Sequence, residues 1–342
     1  MPDYPTLRVA VAGLGFMGRT HIRAWYNVAG AEVTAIVSGS GRKLSGDLSG
    51  TGGNLITGND RFNSQHLKHY STLAAALADP EIDALDLCLP THLHAEAGQA
   101  ALRSGKHVFL EKPLARTSSE AHALAAQAQV SGRTLMAGHV LRFFPELQEL
   151  ARQLSAAPVK LASFRRNCAR PSWSPWLADS ACSGGAPLDL LIHDADFVFH
   201  CFGRPNRISA VGLEDPASGI DWLSANCSYA SSGPVNITGG WHPSPGYPFS
   251  MEFNVVTDQT TLDWSSTGRP LTSFRKNGGA MVLSLPEAPD PWVAQLQHFT
   301  DSARACIPPA LSLPTESAEA VRFVEIMQTS RQQNGEPLPW TD

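Results

Sequence analysis

The chain lacks several features that would have narrowed its role early. None of its 342 residues belongs to an apolar run of roughly the 18 residues a membrane-spanning helix needs, so no such helix and no membrane partner is expected. Its six cysteines (Cys88, Cys168, Cys182, Cys201, Cys227 and Cys306) form no C-x-x-C pair. That argues against a cysteine metal site and for a reduced, cytoplasmic protein with no metal. Cys88 and Cys201 lie in apolar runs, as buried thiols do. The start, Met1-Pro2-Asp3-Tyr4-Pro5, has no basic stretch followed by an apolar one, so no secretion signal is expected. Positive charge is also short. A net charge of −5 gives no reason to expect nucleic acid or an anionic membrane as partner. No internal repeat or low-complexity array is present. What remains, 43% hydrophobic and 17% charged residues, is globular. At roughly 150 residues per domain the length suggests two domains.

The first feature present is a strand-like run, Leu7 to Ala12, leading into Gly13-Leu14-Gly15-Phe16-Met17-Gly18 and then a helical stretch from Arg19 to Asn27. A G-x-G-x-x-G motif gains meaning in this strand-to-helix setting. Gly13 permits the tight turn, Gly15 lets backbone approach a pyrophosphate, and Gly18 permits close helix packing. The helix start then offers free N–H groups to phosphate. The second strand, Ala31 to Val37, ends without the acid that would accept from the ribose 2′-hydroxyl of NAD. Ser38, Ser40, Arg42 and Lys43 follow instead. Two hydroxyls and two cations suit a 2′-phosphate, so NADP is expected over NAD. Gly46 to Asn59, rich in small polar residues, reads as a flexible insertion near the adenosine end.

Further β-α alternation follows. Ser71 is placed as the cap of a short helix. Ile82 to Leu89 is a strand ending at Pro90-Thr91-His92-Leu93-His94 and an alanine-rich helix. Val108 to Leu110 is a buried strand ending at Glu111-Lys112-Pro113, and Pro113 biases Lys112 toward extended backbone. Ser118 or Ser119 caps a helix to Val130, and Leu135 to Gly138 is a last short strand. This pattern predicts a doubly wound parallel sheet, with its strand ends, the glycine loop and Lys112 on one edge. After His139 the pattern changes to alternating runs separated by turns, which predicts a mostly antiparallel sheet, and two helices close the chain. The expected division is a dinucleotide-binding domain over 1–139 and a substrate and oligomerisation domain over 140–342.

Between these regions Asp189, His193, Asp196 and His200 are spaced 4, 3 and 4 apart, which places them in a stripe about 60° wide on a helix opened by Pro187. Apart from Asp194 the other faces are apolar. A narrow stripe of acids and histidines on an otherwise buried helix is expected to face a cavity or ligand. Moving hydride to or from an alcohol carbon needs a proton acceptor and a positive group beside the oxygen. His193 suits the first task and Lys112 the second, with the roles exchangeable, and Asp189 steadies either.

These motifs together resemble the Gfo/Idh/MocA oxidoreductases. The likeness rests on Gly13 to Gly18, Pro90 to His94, Gly105 to Leu114, Gly184-Gly185 with Asp189, His193 and Asp196, and the stretch from Leu313 to Glu316. It implies an N-terminal Rossmann domain joined to a C-terminal α/β domain with a large open sheet. It also implies hydride transfer between NAD(P) and a hydroxyl or carbonyl carbon of a sugar, cyclitol or related polyol. Lys112, Asp189 and His193 match the family's catalytic positions, and the cofactor set extends to Pro90, His94 and Glu111. A homodimer or homotetramer through the sheet is implied as well. In relatives the peptide before Pro113 is often cis. The chain departs from the family pattern at the Gly46 to Asn59 insertion and at Ala186, where many relatives have glycine. On the substrate side, aromatic faces suit sugar C–H surfaces and arginine suits a carboxylate. Arg142, Trp173 and His242 are named for that side, with Arg165, Trp176 and Trp241 behind them. Two other functions fit the same motifs: a nicotinamide-dependent glycoside hydrolase of the same superfamily, and a non-catalytic NADP-binding regulator.

Overall fold

A computed structural model of the chain describes residues 5–53, 61–215 and 217–341. Six strands form the first sheet: β1 Leu7–Ala12, β2 Ala31–Val37, β3 Lys68–Tyr70, β4 Ala84–Leu87, β5 His107–Leu110 and β6 Leu135–Ala137. They run in the order β3-β2-β1-β4-β5-β6, and every pairing is parallel. β4 and β5 are buried along their whole length, which is why they read as apolar runs, with Asp86 in β4 and His107 at the start of β5 the exceptions. The order reverses direction at β1, so the glycine loop opens at the switch point where such sheets bind ligands.

The second sheet has nine strands: β7 Val159–Ala169, β8 Arg207–Asp215, β9 Ile220–Ser228, β10 Val235–His242, β11 Ser250–Thr257, β12 Thr260–Ser265, β13 Arg269–Arg275, β14 Ala280–Val282 and β15 Leu338–Pro339. Their order is β14-β13-β12-β11-β7-β10-β9-β8-β15. Only β7 with β10 pairs in parallel. Alternate residues of β11 are buried, as in a sheet covered on one face. Phe164 of β7 packs edge-on against Phe197 of the helix Ile192–Phe202, with ring centroids 6.0 Å apart.

The change of sheet falls between β6 and β7, but the first sheet is not covered by its own segment alone. The helix Pro291–Ala305 returns to it, and Leu296, Phe299 and Ala303 share a core with Val9, Phe109 and Met136. Phe299 meets Phe109 edge-on at 5.6 Å, and truncating such a buried ring costs about 3–5 kcal/mol. Two caps differ from expectation by one residue. Thr72, not Ser71, accepts from the Ala75 N–H. Thr117, not Ser118 or Ser119, caps Ser118–Ser131, in a capping box with Glu120. The described part of the insertion, Gly46 to Gly53, is packed. Leu48 is buried, Gly52 lies against Trp173 and Gly53 against the Phe16 ring. The rest of it, residues 54–59, lies outside the described residues. No described helix is long and apolar enough to cross a membrane.

Candidate active site

A cleft of about 860 Å³ runs along the C-terminal ends of the first sheet's strands and on to the helix Ile192–Phe202 and β7. Its cofactor end is shaped by backbone. Gly13 has φ +92°, and a Cβ there would lie 2.2 Å from the Cys88 carbonyl oxygen. A Cβ on Gly18 would lie 2.0 Å from the Gly13 oxygen. A Cβ on Gly15 would meet nothing within 4 Å, because that backbone faces open space in the cleft. Gly15 opens the helix Phe16–Trp25 and no side chain caps it, so the helix N–H groups are left for an anion. Two walls fused by close packing and one bare backbone face fit a pyrophosphate cradle. Phe16, Met17 and Pro90 also line the cleft.

At the β2 end, Ser38 and Lys43 line the cleft, whereas Ser40 and Arg42 do not. Arg42 turns to Ser49, donating to its carbonyl at 2.6 Å and its Oγ at 2.9 Å, with Asp47 at 3.6 Å. Burial, and then the charge of Arg42, lowers the Lys43 ammonium from its ordinary value. His94 is buried outside the lining. Its Nδ1 lies 2.7 Å from the Pro113 oxygen and its Nε2 2.8 Å from the Leu89 oxygen, so it ties together the ends of β4 and β5.

Lys112, Asp189 and His193 meet in the middle of the cleft. Lys112 follows β5, and its peptide bond to Pro113 is cis. Its Nζ donates to the Asp189 carbonyl oxygen at 2.6 Å and lies 3.2 Å from Asp189 Oδ1. Asp189 sits in a wide π-type turn, Pro187–Leu191, that precedes the α-helix, so the regular helical spacing assumed for the stripe does not hold at its start. His193 Nδ1 has no partner among the described residues. Burial, followed by the positive charges of Lys112 and Arg166, pushes this imidazole well below its ordinary value, so it is neutral at neutral pH. A neutral imidazole beside an ion-paired lysine can accept a proton while the lysine donates to the same oxygen.

The stripe divides after His193. Arg142 donates to Asp196 through Nε at 2.9 Å and Nη2 at 2.7 Å, also binds Glu316, and lies 3.3 Å from His200 Nδ1. Asp196 and His200 therefore face an internal arginine, and Arg142 does not line the cleft. His242 does not line it either. Its ring stacks on Tyr247 at 4.0 Å and its Nε2 lies 3.2 Å from Asn167 Oδ1. Trp173 and Trp176 do line it, Trp241 does not, and Arg165 pairs with Glu252 at 2.5 Å.

Three elements of the site escaped the sequence reading. Arg166 lines the cleft and is backed by Asp194, with Nε 2.6 Å from Oδ2. Asp221 of β9 accepts from the Ala186 N–H at 2.6 Å and pairs with Arg331, holding the start of the Asp189 turn in place. A Cβ on Gly185 would lie 2.4 Å from Asp221 Oδ2, so the glycine makes room for that carboxylate. The third is His21, fully buried, with Nδ1 3.0 Å from Asp86 Oδ1 and Nε2 3.0 Å from Glu111 Oε1. Burial is the largest single influence and opposes its charge, but Asp86 and Cys88 together outweigh it and raise His21 well above its ordinary value. Trp25 Nε1 donates to Asp86 at 2.8 Å, and Glu111 Oε2 accepts the Lys112 N–H at 3.1 Å. Glu111 thus lines the cleft while it braces Lys112 from below. The acid inside the apolar run of β4 was the available signal for this network.

Residues 7–139 match the oxidoreductase family with an NAD-binding Rossmann fold, and residues 146–263 match the GFO/IDH/MocA C-terminal domain. The chain is 32% identical to 4-carboxy-2-hydroxymuconate-6-semialdehyde dehydrogenase of Sphingobium sp. over 155 residues, 45% of each protein. It is 27% identical to D-apiose dehydrogenase of Paraburkholderia graminis over 242 residues, 65% of this chain and 60% of that one. These matches span only about half of the relatives' length. The solved structure of levoglucosan dehydrogenase with NADH and levoglucosan shares the fold, with a TM-score of 0.82 at 16% identity, over 98% of this chain and 100% of that one. With family models matched over residues 7–139 and 146–263, the chain belongs to the Gfo/Idh/MocA oxidoreductases.

Proposed function

We propose that the protein is a nicotinamide-dependent dehydrogenase or reductase acting on a hydroxyl or carbonyl carbon of a sugar-like polyol. The observation that carries this reading is the meeting of Lys112, Asp189 and His193 at one point of a cleft that begins at the glycine loop. A bound nicotinamide supplies the hydride acceptor or donor. Gly13, Gly15 and the helix start hold its pyrophosphate. His193, held neutral, takes the hydroxyl proton during oxidation. Lys112 donates to the oxygen as charge develops there, and Asp189 keeps the ammonium aimed. The names of relatives that act on apiose and levoglucosan support a sugar-like substrate.

The cofactor we favour is NADP. Ser38 and Lys43 line the β2 end, and among the described residues the carboxylates lining the cleft are those of Glu111 and Asp189, which stand beside Lys112. We favour self-association through the open face of the second sheet. That face carries the charged set Arg165, Glu252, Asp263 and Arg269, paired among themselves. A panel of sugars, cyclitols and sugar acids incubated with NADP or NAD tests the reading through the absorbance of reduced nicotinamide. Net cofactor turnover is expected. Glycoside cleavage without net turnover points to the hydrolase, and cofactor binding without either reaction to the regulator.

A further inference from the structure

We infer that Arg166 forms an anion subsite in the cleft and that the substrate is a hydroxy acid, a polyol-like molecule bearing a carboxylate. The inference rests on the hydride-transfer reading above and narrows its substrate class. Side chains alternate along β7, so neighbouring arginines face opposite ways. Arg165 is exposed and pairs with Glu252, while Arg166 is 3% exposed and lines the cleft.

A guanidinium carries five N–H donors in a planar fork. Asp194 takes the side-on pair: Nε donates to Oδ2 at 2.6 Å and Nη2 to Oδ1 at 3.2 Å. Nη1 meets only the Met251 sulfur, at 3.4 Å, and a thioether is a weak acceptor. The end-on pair, one N–H from each Nη, therefore has no oxygen partner among the described residues. Unsatisfied donors in a buried wall are costly, and this wall is apolar. The Phe249 ring lies 5.8 Å from the guanidinium carbon, and Leu190 and Met251 line the same stretch. Asp194 is buried and outside the lining, so the cation faces the cleft with its counter-ion behind it. Two parallel donors at the charged end of a planar group match the two oxygens of a carboxylate, whereas a hydroxyl offers only one.

Asp194, which holds Arg166 at 2.6 Å, directly follows His193 in the chain, and Arg166 and His193 line the same cleft, so the subsite lies on the side of the cleft that carries the proton acceptor. In the oxidation the carbinol carbon gives hydride to the oxidised nicotinamide and the hydroxyl proton passes to His193. The product is an oxo acid, and the carboxylate is unchanged throughout.

The test uses pairs that differ in one group: D-gluconate against D-glucitol, and D-galacturonate against D-galactose. Each is assayed for turnover with NADP or NAD, and for quenching of NADPH fluorescence on the full-length protein. The acid member is expected to win by about 100-fold in kcat/KM or in affinity. Arg166→Lys keeps the charge and loses the fork, so the acid-to-neutral ratio should fall about tenfold or more. If Arg166→Lys fails to fold, the wild-type ratio decides alone. A neutral member that wins, or no difference in either readout, overturns the anion subsite and leaves hydride transfer standing. Acids that quench NADPH while no compound is ever turned over support the subsite and overturn the hydride-transfer reading.

Discussion

Asp189 and Asp196 lie on one helical stretch, and each holds a cation from elsewhere in the chain, yet only one of those cations reaches the cleft. Arg142 spends its donors on Asp196 and Glu316 and has a side chain 1% exposed. Lys112 has one carboxylate oxygen at 3.2 Å and one carbonyl oxygen at 2.6 Å, and its side chain is 15% exposed at the cleft wall. An ammonium has three N–H donors, so one is left over. The comparison separates two uses of a buried cation. One that the protein saturates holds elements together, and one left with a spare donor at a cavity wall is available to a substrate.

Truncating each cation tests that distinction. Lys112→Ala should lower kcat/KM by about 10³–10⁴-fold. Asp189, being partly open to the cleft, is then left hydrated, so thermal stability should change little. Arg142→Ala should do the reverse. It strands the buried Asp196 carboxylate and should cost about 3–5 kcal/mol in denaturant unfolding, with a smaller effect on kcat. Equal stability losses in the two variants would show that Lys112 is structural as well, and the comparison would fail.

The pH profile sharpens the same contrast within the cleft. His193 is lowered well below 6.5 by burial and by its cationic neighbours. If it is the proton acceptor in oxidation, kcat/KM should stay level as pH falls to 6.5 and drop only below that. A midpoint at or above 6.5 would give the proton to another group. The stability sign follows from the same depression. Between the folded value and 6.5 the unfolded chain binds more protons at this site, so the contribution of His193 is complete above 6.5 and is lost as pH falls. His139, buried beside it and lowered for the same first reason, adds to that slope.

The cofactor half of the cleft was legible in the sequence because local rules build it. A glycine loop, a strand end and a proline act on their immediate neighbours, and Gly13, Gly15, Gly18 and Lys112 all stand where those rules put them. The antiparallel character of the second sheet was legible for the same reason. The substrate half is made of long-range contacts. Asp196 looked like a site residue because helical spacing shows that two residues share a face, but not what the face meets. Here it meets Arg142, 54 positions earlier. Arg166 was missed and Arg165 considered because the register of β7 is set by its partners β10 and β11. A shift of one residue exchanges the two faces of a strand. His21 gave no signal of its own, since its partners come from far along the chain, Asp86 in β4 and Glu111 just after β5.

The smallest expected effect lies at the cofactor end, where Arg42 and Lys43 repeat the contrast between a spent and an available cation. Arg42 donates to Ser49 and pairs with Asp47, and it stands half-exposed outside the lining. Lys43 lines the cleft, and burial and then the repulsion of Arg42 lower its ammonium from its ordinary value. A 2′-phosphate beside Lys43 would offset that repulsion, whereas a bare ribose hydroxyl would not. Lys43→Ala should therefore reduce the ratio of NADP to NAD in kcat/KM by about tenfold, the strength of one charge-assisted contact at a partly open site. Arg42→Ala should change that ratio by less than about twofold, because its donors are already used within the loop. If the two substitutions had equal effects, Arg42 would have to leave Ser49 when the cofactor binds, and it would then belong with Lys112 among the cations held in reserve.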